Sequence, residues 1–273
     1  GCHRCRLYFN RSAYAFCECF GYQSTIRRLI PLINLVIDIG NSRTKLALFN
    51  QHDLMFSVPI DRLTVEHLQM LRDEHPQMTK AILSSVRERD EDLIDFLSAN
   101  FEQFVELDHS TRLPIINLYS TPETLGRDRL AAAVGANELF PDQNLLIIDA
   151  GTAITYDLVS ERNEFLGGNI SPGLEMRFKA LNQFTGKLPL VNQSDENELF
   201  GNNTNSAIRC GVQNGVLYEM TQTIELFNKN YQNLQIIMTG GDSNFFDRKL
   251  NYTIFVHFNL TLIGLNRILE HNA

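Results

Sequence analysis

Apolar residues along this chain come in short runs that stop at an acid and a glycine, and the arrangement occurs twice. Leu35-Val36-Ile37 leads into Asp38-Ile39-Gly40-Asn41-Ser42-Arg43-Thr44-Lys45 and resumes as Leu46-Ala47-Leu48-Phe49. Leu145-Leu146-Ile147-Ile148 leads into Asp149-Ala150-Gly151-Thr152-Ala153-Ile154-Thr155 and resumes as Tyr156-Asp157-Leu158-Val159. Each copy reads as strand, tight turn, strand. Further strands are predicted over 54–59, 81–86 and 104–107, and helices over 63–72 and 90–100, where leucines recur at helical spacing. This βββαβαβ order predicts a mixed sheet flanked by helices. A helix then opens at 124–128 and runs through the alanine-rich 130–136. The second half repeats the plan with its hairpin, a strand over 165–168, helices over 174–181 and about 207–227, and a buried strand over 235–238.

The repeat predicts an α/β chain of two related lobes, 34–140 and 141–273, packed around a shared helix with a cleft between them. Composition agrees: of 273 residues, 44% are hydrophobic and 21% charged, enough for a large core. A net charge of −8 and a pI near 5.4 argue against a nucleic-acid partner. No apolar run approaches the roughly 20 residues that span a bilayer. A cytoplasmic protein with no membrane partner is expected. Cys2, Cys5, Cys17 and Cys19 crowd the start of the chain, with Cys210 alone elsewhere. Their CxxC and CxC spacing could clip a zinc ion. The favoured reading of 1–33 is a non-native or disordered N-terminal extension, loosely packed and dispensable for activity.

The two hairpins carry the first candidate chemistry. An acid at a strand end beside a glycine can hold Mg²⁺ while turn amides meet phosphate oxygens, and Lys45 could reach a terminal phosphate. An ordinary solvated hairpin is the alternative for either copy alone, and the second copy weakens it. Asp128 stands in the first turn of a helix, where an acid often only complements the helix dipole. Arg127 and Arg129 beside it would keep it ionised and could grip an anionic substrate. A base beside a phosphate site is what transfer to a hydroxyl needs. The alanines behind Asp128 serve either close helix packing or a dimer interface. Glycine turns at Gly167-Gly168, Pro172-Gly173 and Gly240-Gly241 would bring backbone close to a nucleotide. Thr204 reads as part of a helix N-terminal cap or as a hydroxyl facing substrate.

The ordered motifs Asp38-x-Gly-Asn-Ser-x-x-Lys45, Tyr119 with Pro122, Gly126-Arg-Asp-Arg129, Asp149-x-Gly-Thr-Ala153, Gly167-Gly-Asn-Ile-Ser-Pro-Gly173, Gly201-Asn-Asn-Thr204 and Thr239-Gly-Gly-Asp242 resemble the type III pantothenate kinases. The resemblance covers about residue 34 to the C-terminus. It implies two ribonuclease H-like lobes, the duplicated actin-like ATPase fold of the acetate and sugar kinase, chaperone ATPase and actin superfamily. It also implies ATP-dependent phosphorylation of pantothenate to 4'-phosphopantothenate, the first step of coenzyme A biosynthesis, by a homodimer that binds pantothenate at its interface. Carried over by motif, Asp38, Ile39, Gly40, Asn41, Ser42, Arg43, Thr44, Lys45 and Thr152 bind ATP, with Mg²⁺ near Asp38. Tyr119, Gly126, Arg127, Asp128, Arg129 and Thr204 line the pantothenate pocket, and Asp128 is the general base. Asp149 holds a monovalent cation, K⁺ or NH₄⁺. Ser42 replaces the commoner Thr but keeps its hydroxyl. The competing expectation is a nucleotide-binding regulatory relative that has lost catalysis, against which stands retention of the base and phosphate set.

Overall fold

The structure is a computed structural model and describes residues 33–41, 43–196 and 198–273. The expectations for the leader and its cysteines, and the hydroxyl of Ser42, lie outside the described residues.

The first apolar runs form β1 (Ile33–Ile39) and β2 (Thr44–Asn50), paired antiparallel. Both are buried on two faces, which is why they read as continuous hydrophobic runs rather than alternating ones. β3 (Asp53–Ile60) extends the hairpin. α1 (Val65–Glu74) leads to β4 (Met78–Ser85) and α2 (Glu91–Asn100) to β5 (Gln103–Glu106). β4 pairs parallel with β1, and β5 with β4. Thr64 and Asp90 cap the two helices by accepting from the amides of His67 and Leu93. The sheet order is β3-β2-β1-β4-β5.

Next come β6 (Ile116–Asn117), a 3-10 turn at Pro122–Thr124 and α3 (Arg127–Leu139). The second half gives β7 (Leu145–Ala150), β8 (Ala153–Val159), β9 (Glu164–Pro172), α4 (Leu174–Gln183), α5 (Thr204–Asn230), β10 (Gln235–Thr239), α6 (Ser243–Asp247), β11 (Phe255–Val256) and α7 (Leu260–His271). Its sheet runs β11-β10-β7-β8-β9-β6. Without the added β6, that is the order of the first sheet. The duplication seen in the hairpins therefore extends through the whole sheet topology.

Three hydrophobic clusters define the layers. One packs the outer face of the first sheet under α1 and α2. Another packs the outer face of the second sheet under α4 and α5. The central one joins both sheets through α3 and α7. These two helices touch backbone to backbone. A Cβ on Gly135 would fall 2.1 Å from the carbonyl oxygen of Leu260, and one on Gly264 would fall 1.8 Å from that of Ala131. The alanine run of α3 is thus explained by packing inside the chain, not by a second copy. α7 was not expected from sequence: a short run mixing Thr, Gly and Asn among leucines is ambiguous between strand and helix. β6, β11 and α6 were also unexpected, being too short to show a period. Two elements pass between the halves: β6 joins the second sheet, and α7 is tied back to β1, where Asn34 Nδ2 donates to Asn266 Oδ1 at 2.9 Å.

Candidate functional site

The register of the sheets brings the predicted acids together. Asp38 ends β1, opposite Lys45 on β2, and Asp149 sits near the end of β7. Asp128 stands at the N-terminus of α3 between the two sheets. Lys45 and Asp128 act electrostatically on both Asp38 and Asp149. Burial pushes Asp38 up to about 6, with Lys45 opposing and Asp128 and Asp149 adding to the rise. Burial likewise pushes Asp149 up to about 6, with Asp128 and Asp157 adding and Lys45 opposing. Lys45 Nζ donates to the carbonyl of Phe258 at 3.2 Å, so the ammonium crosses from the first sheet toward the segment before α7.

The tips are held differently. At the first, Gly40 N donates to Arg43 O at 3.0 Å, and Asn41 and Arg43 are exposed. Arg87 clamps it, Nε donating to Gly40 O at 2.8 Å and Nη2 to Asn41 O at 3.1 Å. At the second, Gly151 N donates to Ala153 O at 3.0 Å and Gly173 N to Thr152 O at 3.1 Å. α4 starts directly against this tip, and helix N-termini favour anions. Gly240 leans on it from β10 with φ +95°, where an added Cβ would meet Asp149 Oδ1 at 2.5 Å.

Asp128 Oδ1 accepts from the amide of Arg129 at 2.8 Å, so the acid also caps its own helix, as the dipole reading expects. A cleft of about 310 Å³ beside it is lined by Ile39, Ser85, Val86, Arg87, Gly126 and Arg127. Arg127 Nη1 donates to Ser85 O at 3.1 Å across its mouth. Arg129 is buried, paired side-on with Asp157 of β8, and its guanidinium lies 5.7 Å over the Tyr119 ring. Burial works to lower its pKa, but the hydrogen bonds it donates to Asp157, with that carboxylate's charge, outweigh this and raise it. Thr204 stands apart from this group: it is exposed and opens α5, while Asn203 is the cap, accepting from Ser206 N at 3.0 Å.

Sequence reasoning missed Asp157 and Arg87. A lone acid inside the apolar run of β8 was the signal for the first, and the Arg-Glu-Arg-Asp stretch 87–90 after β4 the signal for the second. Among the described residues no group of three or more His, Cys, Asp or Glu side chains is arranged to cage a metal. Two partly buried acids with raised affinity for protons still make an oxygen donor set that lacks positive charge. That set suits a hard cation completing its shell with water and phosphate.

The fold and site define an α/β protein of two related lobes with a carboxylate hairpin in each, and the family match makes it a phosphotransferase. Residues 34–226 match the model of the type III pantothenate kinase family, and the chain belongs to that family. It is 45% identical over 240 residues to the type III pantothenate kinase of Phocaeicola vulgatus, covering 88% of this chain and 99% of that one. The corresponding kinase of Christiangramia forsetii is 44% identical over 241 residues, with the same coverage of each chain. Among solved structures, a Campylobacter jejuni protein assigned to the Baf family of transcriptional activators superposes with a TM-score of 0.56 at 23% identity, over 87% of this chain and 98% of that one. At that identity the likeness concerns the fold alone. As a kinase, the chain uses ATP and a divalent metal. No helix among the described residues is long and apolar enough to cross a membrane.

Proposed function

We propose that this chain transfers the γ-phosphoryl group of ATP to the primary hydroxyl of pantothenate, with Asp128 as the base. The placing of Asp38 opposite Lys45, of Asp149 near the end of β7 in the matching hairpin, and of Asp128 in the first turn of α3 is the observation that carries this reading. The hydroxyl oxygen attacks phosphorus, the bond to the β–γ bridging oxygen breaks, ADP leaves, and Asp128 takes the hydroxyl proton. Residues 38–45 and Thr152 cradle the phosphates, and Lys45 offsets their charge. Asp38 would hold Mg²⁺ and Asp149 a monovalent cation, K⁺ or NH₄⁺, neutralising charge on the phosphates when bound. Tyr119, Gly126, Arg127 and Arg129 bind pantothenate, Arg129 facing its carboxylate.

The working unit is a homodimer in the cytoplasm, with no nucleic-acid or membrane partner. The dimer is supported by an apolar groove of about 490 Å³ between α4 and α5, lined by Leu181, Phe184, Ile208 and Val212. Phe184, in its lining, is 81% exposed. Thr204 lies one helical turn before Ile208 on that face, where a second copy would bring it to the other protomer's pantothenate.

The test is ADP release from Mg·ATP in potassium buffer, with and without pantothenate. Pantothenate-dependent release is expected, with Asp128→Asn lowering turnover about 10²-fold or more and leaving the fold intact. Exchanging potassium for sodium should weaken activity; equal rates would remove the cation site from Asp149. ATP binding without pantothenate dependence would instead support the regulatory relative.

A further inference from the structure

Asp157 lies in β8 at 1% exposure, and Arg129 faces it at 6%. Arg129 Nε donates to the two Asp157 oxygens at 3.0 and 3.1 Å, and Nη2 donates to Oδ1 at 2.5 Å. Such side-on pairing occupies the Nε–Nη2 edge of the fork and leaves its Nη1 end turned away from Asp157. β9 packs closely against the pair. A Cβ on Gly168 would fall 2.5 Å from Asp157 Oδ1 and 2.0 Å from the carbonyl of Tyr156. Gly167, at φ +112°, lets β9 pass Tyr119, whose ring lies under the guanidinium. As a source of stability a buried ion pair is poor, since apolar residues of similar volume commonly do as well or better. What the pair supplies here is a fixed direction for the guanidinium.

We infer that Asp157 is a positioning residue for substrate: it holds Arg129 so that the outer end of the guanidinium receives the carboxylate of pantothenate. The inference rests on pantothenate being the substrate. Asp157 touches no substrate and takes no proton in the transfer; it acts through Arg129. Its loss is therefore felt only by substrates that carry the carboxylate.

The experiment compares pantothenate with its alcohol analogue, in which the carboxylate is replaced by CH₂OH. The two kcat/KM values are measured for wild type, Asp157→Asn and Asp157→Glu, with KM for ATP as a control on the nucleotide half. Wild type should prefer the acid. Asp157→Asn should reduce that preference by about tenfold or more, with rates on the alcohol and KM for ATP changed by less than about twofold. Asp157→Glu keeps the buried charge paired but shifts the fork, so it should fold and show a smaller loss of preference. It decides the matter where Asp157→Asn fails to fold. A wild-type preference retained in the folded variants, or an equal loss on both substrates, overturns the inference. Failure of wild type to use pantothenate at all overturns the substrate reading instead, and is seen before any variant is made.

Discussion

The two hairpins share topology, the terminal acid and the glycine, yet they are supported in opposite ways. The first tip is exposed, and a side chain, Arg87, holds it through the carbonyls of Gly40 and Asn41. Backbone surrounds the second. Asp242 N donates to Ala150 O at 2.9 Å, and Cβ atoms on Gly173 and Gly240 would fall 2.3 Å from Gly151 O and 2.4 Å from Ala150 O. Duplication preserved the chemistry at the strand ends while each copy acquired its own means of holding it. The first site is adjustable by side chains. The second is built into main-chain contact that only glycine permits.

The largest effect that would test this contrast is on stability. Gly240→Ala combines an unfavourable φ with a backbone clash, and together these cost about 3 kcal/mol or more. Gly40→Ala meets only Arg43 O at 3.1 Å, with no positive φ, so its cost stays below about 1 kcal/mol. Urea unfolding midpoints measure both. Equal losses would mean that the two tips are equally constrained, and the contrast would fail.

Much of this was legible in sequence because the physics was local. Strands buried on two faces produce continuous apolar runs, so β1, β2, β7 and β8 announced themselves, and Asp38 and Asp149 with them. The Gly126-Arg-Asp-Arg129 motif flagged Asp128 for the same reason. The partner of Arg129 was not legible. Asp157 is 28 residues away, and only the pairing of β8 with its neighbours turns that acid inward. Nor was the return of α7 to β1, fixed by Asn34 and Asn266 across 232 residues of sequence. The cap region at α5 was legible too: Thr204 opens the helix and Asn203 before it supplies the capping oxygen.

A second test asks whether burial burdens the two acids alike despite their different settings. Asp38 and Asp149 each titrate near 6, against an ordinary 3.8. Between about pH 4 and 6 the native protein holds protons that the unfolded chain has released. The stability contributed by these groups therefore falls as pH rises through that window and levels off above it. In chelator and without nucleotide, Asp38→Asn should melt above wild type at pH 8 by up to about 10 °C, taking ~1.4 kcal/mol per pKa unit and a few degrees per kcal/mol as upper bounds. At pH 4 the two proteins should melt together. Asp149→Asn should behave alike. No gain at pH 8 from either substitution would show that burial does not burden the ionised acids, and a constant difference at both pH values would remove titration as the cause.

The smallest expected effect is the most specific to the first tip. Arg87 is exposed and spans two backbone carbonyls with one planar fork, a geometry that lysine cannot reproduce. Removing it leaves the β1–β2 pairing and both cores untouched, so the melting temperature of Arg87→Ala should stay within about 2 °C of wild type. If the tip binds phosphate as proposed, its amides would then be held less firmly. KM for ATP should rise about threefold, with KM for pantothenate unchanged, because ordering the loop becomes part of nucleotide binding. Arg87→Lys should resemble Arg87→Ala, since one ammonium cannot pin both carbonyls. A wild-type KM for ATP in Arg87→Ala would mean that the first tip, like the second, is held by its own backbone, and that the two halves differ less than their surroundings suggest.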